Sequence, residues 1–201
     1  MVDLPHSLAV GLAARHALNP AQLAERGNLT AHEQLRLQRS AERNDAKLDV
    51  NLGRVPLTRL ALFALSKPLT VRQEQQDDLH AALQTSARRA LRRRPLKLGR
   101  VAAIFDRSYS SSGSGEKRRR PLGVALAARY LLAEACDDLT EIWTGPPLEH
   151  PVQVVARGSS NLADGILEAL RAQPDHIFIV SDGYENDPPR GAAECAQPAD
   201  N

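Results

Sequence analysis

The chain has 201 residues, 42% of them hydrophobic and 25% charged, with a formal net charge of +2; that length suits one or two small domains with an apolar core. Its two cysteines, Cys136 in an apolar helix pattern and Cys195 in a polar tail, show neither a metal-ligand spacing nor a disulfide framework. No apolar run reaches membrane-spanning length, and an amino terminus with Asp3, Pro5 and His6 is unlike a secretory signal, so a reduced, cytoplasmic setting without a membrane partner is expected.

Residues 1–95 read as an all-helical region. Asn19 and Pro20 open a short helix that Gly27 closes, Thr30 with Glu33 forms a capping box, and residues 55–68 form a further helix. Thr70 with Gln73 repeats the capping-box pattern before a long helix from Val71 to Arg94, which Pro95 ends. Leu79, Leu83, Ala87, Ala90 and Leu91 line one side of it.

The basic residues of this helix fall largely on its other sides. Arg88, Arg89, Arg92, Arg93 and Arg94, with Lys97 and Arg100 beyond, crowd the approach to the first strand, and a second cluster runs from Lys117 to Arg120. Such blocks suit phosphate backbones, which makes RNA an expected partner to set beside a plain solvated helix face. No aromatic residues interleave with the arginines, so stacking of single-stranded bases has no support.

From Leu98 strands and helices alternate. Residues 98–105 form a buried strand, 121–135 an apolar helix, 139–145 a second strand, and 151–156 a short third strand. A helix over 161–172 follows, capped by Ser159, Ser160 or Asn161 and with Leu162, Ile166 and Leu170 on one face, and then the strand His176 to Val180. This order implies an α/β domain over 98–187 with a doubly wound sheet. The Gly- and Ser-rich stretch at 110–116 reads as a mobile loop, and 188–201, with Pro188, Pro189 and Pro198, as a disordered tail.

Chemistry concentrates at the ends of two of these strands. Asp106, Ser108 and Ser110 alternate directly after the first, and Ser181, Asp182 and Gly183 follow the last. If the two strands are parallel neighbours, their carboxyl ends put Asp106 and Asp182 in one crevice, where open α/β sheets bind ligands. Oxygen side chains with few full charges suit a hard divalent cation such as Mg2+.

These motifs carry a resemblance. Asp106-x-Ser108-x-Ser110, Gly158-x-Ser160-Asn161-Leu162 and Ser181-Asp182-Gly183 resemble, in order, the metal-ion-dependent adhesion site (MIDAS) of von Willebrand factor A-type (vWA) domains. The resemblance spans roughly residues 100–187. It implies a Rossmann-like, doubly wound sheet, incomplete at the carboxyl end, behind the helical region. It further implies Ser108 and Ser110 as direct ligands of Mg2+ (Mn2+ or Ca2+ also fit), with Asp106 and Asp182 holding its waters. Ser160 stands where the family has threonine, keeping the hydroxyl without the β-branched stiffness. A partner protein would complete the shell with a carboxylate, so the function expected is metal-dependent protein–protein binding and not catalysis.

Two other functions were weighed. A helical region before a vWA-like domain resembles, in architecture, the Ro-type (TROVE-like) RNA-binding proteins, which would make the chain a ribonucleoprotein component. A phosphotransferase of haloacid-dehalogenase type would also place Asp106 after the first strand as nucleophile beside Mg2+. Such enzymes carry a second aspartate where Ser108 stands, and His150 and His176 are expected away from the crevice, so proton transfer lacks a carrier. With little apolar sequence after Asp187, the His176 to Val180 strand is expected at a sheet edge and open to self-association.

Overall fold

A computed structural model of the chain describes residues 33, 35, 51–115 and 118–183. The chain divides into two compact units, Met1–Pro56 and Leu57–Asn201. In the first, Glu33 and Leu35 are helical and a 3-10 turn spans Leu52–Arg54; the helix expected over 19–27 and the cap at Thr30 lie outside the described residues.

The second unit holds five α-helices and a three-stranded sheet among its described residues. Helices α1 (Leu57–Ser66), α2 (Leu69–Glu74) and α3 (Gln76–Arg93) come first. Residues 57–93, expected from the pattern to belong to a helical region ending at 95, thus share a compact unit with the sheet. The continuous helix expected from Val71 breaks at Gln75. Thr70 does not cap: it lies inside α2, whose boundary residue is Pro68 and whose start has no side-chain capping bond. On α3, Leu79, Leu83 and Ala87 are buried as expected, while Ala90 is exposed. Asp77 and Asp78 in its first turn and Arg92 and Arg93 in its last complement the helix dipole.

Strand β1 (Leu98–Phe105) leads through a 3-10 turn (Tyr109–Ser112) to α4 (Arg120–Ala135), which runs without a loop into β2 (Cys136–Trp143). Cys136, expected in a helix, is therefore the first residue of a strand. Gly123 lets α4 approach α1 closely, since a Cβ there would lie 2.6 Å from Cδ2 of Leu62. Helix α5 (Leu162–Arg171) and β3 (His176–Val180) complete the unit.

The sheet is parallel throughout, in the order β2-β1-β3. Alternation along β1 builds two apolar layers. Ala102 and Ile104 pack with Ile142 and with Leu162, Ile166 and Ala169 of α5. Val101, Ala103 and Phe105 face the other way, onto Ala125 and Leu132 of α4. Helices thus cover both faces of the central strand.

Two expectations fail here. Residues 151–156 are not a strand: Pro151–Gln153 form a 3-10 turn. Pro151 has no N–H for a ladder, the Val152 N–H goes to Nδ1 of His150, and the carbonyls of Val152 and Val154 accept from the buried Arg72 guanidinium. Leu170, placed by period with Leu162 and Ile166, is exposed because α5 rests on β1 and β2 and turns that flank outward.

Candidate metal centre

The strand ends carry the site. The β1–β3 pairing runs on past the strands, with the Asp106 N–H donating to the Val180 carbonyl at 2.9 Å, so Asp106 and Ser181 are brought side by side. Asp106 is buried; its Oδ1 accepts the Ser108 N–H at 2.7 Å and its Oδ2 accepts the Ser181 hydroxyl at 3.0 Å. Two donors on one carboxylate favour its ionised form and fix its orientation.

Ser108 is buried and Ser110 exposed, yet their hydroxyl oxygens lie 2.8 Å apart, one donating to the other. The 3-10 turn brings them together, with the Ser111 N–H and hydroxyl both donating to the Ser108 carbonyl at 3.0 and 2.7 Å. Ser110, Ser181 and Asp182 then line an open cavity of about 460 Å³ with Arg120, Pro121 and Val124 at the start of α4.

The middle motif reaches this end of the sheet through its backbone. Gly158, at a φ of 69° that favours glycine, presents its carbonyl to the Tyr109 N–H at 2.9 Å. Of the three expected caps, Asn161 takes the role, its Oδ1 accepting the Asp164 N–H at 3.0 Å. That leaves Ser160 free of capping duty. Its hydroxyl is 1% exposed and has no hydrogen-bond partner, a state that costs about 1–3 kcal/mol for a buried polar group.

Sequence reasoning missed Arg107, the residue inside the first motif. It is 1% exposed, with its N–H on the Thr144 hydroxyl at 3.0 Å and its Nε on the Thr144 carbonyl at 2.6 Å. Nη2 donates to the Pro146 carbonyl, and the Arg107 carbonyl accepts from the Arg157 N–H at 2.8 Å. Burial, with Arg157 nearby, lowers its pKa. The only sequence signal is period two: with Asp106 and Ser108 on one side, Arg107 must point to the other.

The donor set is all oxygen, with the two carboxylates Asp106 and Asp182 and the hydroxyls of Ser108, Ser110 and Ser160. Among the described residues no three His, Cys, Asp or Glu side chains gather to hold a metal, which disfavours a zinc- or copper-type centre there. A hard cation that accepts neutral oxygens and keeps its waters suits this set, and the orphaned Ser160 hydroxyl is the group such an ion would satisfy.

The arginine cluster sits elsewhere. Six strand residues at about 3.3 Å each put Arg100 about 20 Å from Asp106. Arg100 bonds Asp175 through its N–H at 2.8 Å and its guanidinium at 3.3 Å, and Arg88 pairs with Glu134 at 2.8 Å. Arg92, Arg93, Arg94 and Lys97 are exposed and Arg89 is half-buried. His176 opens β3, as expected, and His150 precedes the 3-10 turn. Among the described residues no helix is long and apolar enough to cross a membrane.

No family model, no curated protein and no solved structure matches this chain.

Proposed function

We propose that the chain is a metal-dependent binding module of the vWA type, in which Asp106, Ser108, Ser110, Ser160 and Asp182 hold Mg2+ for a partner protein. The observation that carries this reading is the buried, unpartnered Ser160 hydroxyl, on a segment bonded through Gly158 to the turn of Ser108 and Ser110. The three-layer α/β arrangement, with the first and last strands adjacent and parallel, is consistent with the sheet such domains use.

The chain's own groups have distinct tasks. The hydroxyls of Ser108, Ser110 and Ser160 offer neutral oxygens, so the two carboxylates leave a divalent ion with positive charge to spare. Bound there, the cation supplies an electrophilic point that draws a carboxylate from a partner. Ser181 and the Ser108 N–H hold Asp106 in place. The cavity beside Ser110 and Asp182 leaves room for an aspartate or glutamate side chain of the partner.

Titration calorimetry tests the reading. The parent should bind Mg2+, and S108A/S110A, which removes two neutral ligands and leaves the carboxylates without a screening ion, should bind at least ten-fold more weakly with its helices intact. Equal affinity in the two proteins would remove the site assignment. Capture from a cell extract with Mg2+ and with EDTA separates the other expected partner, since RNA in both eluates would shift the binding role to the arginines at Arg88 to Arg100.

A further inference from the structure

The segment that delivers Ser160 to the cavity is fastened to the helices along its way. Arg72 on α2 donates from Nη1 to the carbonyls of both Val152 and Val154 at 2.8 Å. Burial, with Arg119 adding to it, pulls that guanidinium down to about 10, still fully charged at neutral pH. Gln153 bonds Gln76 on α3 at 2.6 Å. The Arg157 N–H is held by Arg107, and Gly158 and Ser160 follow.

At the head of this segment lies a pair of histidines outside the site described above. His150 Nδ1 accepts the Val152 N–H at 3.3 Å, closing the 3-10 turn. Its ring meets that of His80 on α3 edge to face, with centroids 5.0 Å apart, and His80 Nδ1 lies 2.8 Å from the buried Tyr130 hydroxyl on α4. An Nδ1 that accepts an N–H must carry a lone pair, so His150 is the neutral Nε2–H tautomer here. Protonation would set an N–H against an N–H and put two cations in ring contact.

We propose that His150, backed by His80, is a positioning residue that couples the cation site to pH: neutral, it keeps the Pro151–Gln153 turn closed and Ser160 in place, and protonation opens the turn and weakens divalent-ion binding. The coupling rests on the metal-site reading above; the closing of the turn does not. The charged groups around the pair are Asp77 on α3, Arg129 on α4 and Glu141 on β2. Arg129 is itself paired with Glu141 at 2.7 Å and stacked on the Tyr130 ring. Burial is the largest influence on both histidines, and Arg129 adds to it, and for His150 so does His80; together they outweigh Asp77 and Glu141, so both pKa values lie below the ordinary 6.5.

The sign follows from linkage. The unfolded or opened segment takes up protons near pH 6.5, while the closed form resists them to lower pH. The clamp is at full strength above about pH 6.5 and weakens progressively as pH falls below it.

The experiment compares the whole chain with H150N at pH 7.5 and 5.5. Asparagine offers an Oδ1 that accepts the Val152 N–H and does not titrate. Mg2+ affinity, read by calorimetry, should fall at least ten-fold in the parent between the two pH values and change less than three-fold in H150N. Without metal, the Val152 amide should lose hydrogen-exchange protection at pH 5.5 in the parent and keep it in H150N, after correction for intrinsic exchange. Equal Mg2+ losses in the two proteins would overturn the coupling. No Mg2+ binding at either pH would overturn the metal reading and the coupling with it. Unchanged Val152 protection in the parent would overturn the histidine clamp itself.

Discussion

Strands β1 and β3 are neighbours of similar length of apolar run, yet Val101 to Phe105 are at most 1% exposed while Ile177, Phe178 and Ile179 are 37%, 36% and 46% exposed. The more hydrophobic run, His176 to Val180, is the less buried. In register, Ala102 pairs with Ile177 and Ile104 with Ile179, so the same apolar layer covered by α5 over β1 runs out toward solvent at β3. Burial is set by rank in the sheet: β1 has a strand on each side and a helix on each face, whereas β3 has β1 on one side only among the described residues. Hydrophobicity states what a strand needs and its neighbours decide what it receives.

The sharpest way to break this comparison is to truncate the same side chain in both strands. I104A should cost about 2–5 kcal/mol, because the cavity left among Ile142, Leu162 and Ile166 cannot close. I179A should cost less than about 1 kcal/mol, because much of its surface is already in water. Urea unfolding of the two variants measures this, and equal losses would mean that the edge is covered.

Amide exchange sharpens the comparison without mutation. Amides of residues 102–105 should exchange only through global opening, whereas those of 177–180 should exchange through local fraying and so be markedly faster. An open edge also predicts self-association. Sedimentation of the chain over increasing concentration should show an association that I179K, with a charge on the exposed strand, abolishes without loss of helix content. A monomer at every concentration would rule that expectation out.

The smallest effect concerns the amino ends of the two strands, where Asp175 bonds the Arg100 N–H and guanidinium. These bonds, the backbone one first, hold the Asp175 carboxyl below its ordinary value of 3.8. Its contribution is therefore present above that value and lost as pH falls through the lower folded one. D175N should lower the melting temperature slightly at neutral pH and low salt, and the difference from the parent should shrink both in high salt and at acid pH.

Much of the site was legible from local pattern. An apolar run followed by oxygen side chains at alternate positions placed Asp106, Ser108 and Ser110 at a strand end, and the hydroxyl-rich turn before α5 marked a cap, which Asn161 supplies. Arg107 was not legible, because a charged residue between two polar ones carries no sign that its partners are carbonyls of a segment 37 or more positions away. The 151–156 stretch failed for the same reason: its alternation satisfies a strand pattern, while its carbonyls are taken by Arg72, 80 and 82 positions back.

The sequence by itself determined the elements whose bonds close within a few residues: the helices from Leu57 onward, the strands at 98–105 and 176–180, the Asn161 cap, and the oxygen-rich ends of β1 and β3. Only the tertiary structure decided that Arg72 and Arg107 are buried, that residues 151–153 turn where their pattern alternates, that Ser160 is left without a partner, and that β3 lies exposed. The physical reason is that local geometry depends on dihedral preference and side-chain period. Burial and the pairing of polar groups depend instead on which distant segments the closed chain brings alongside.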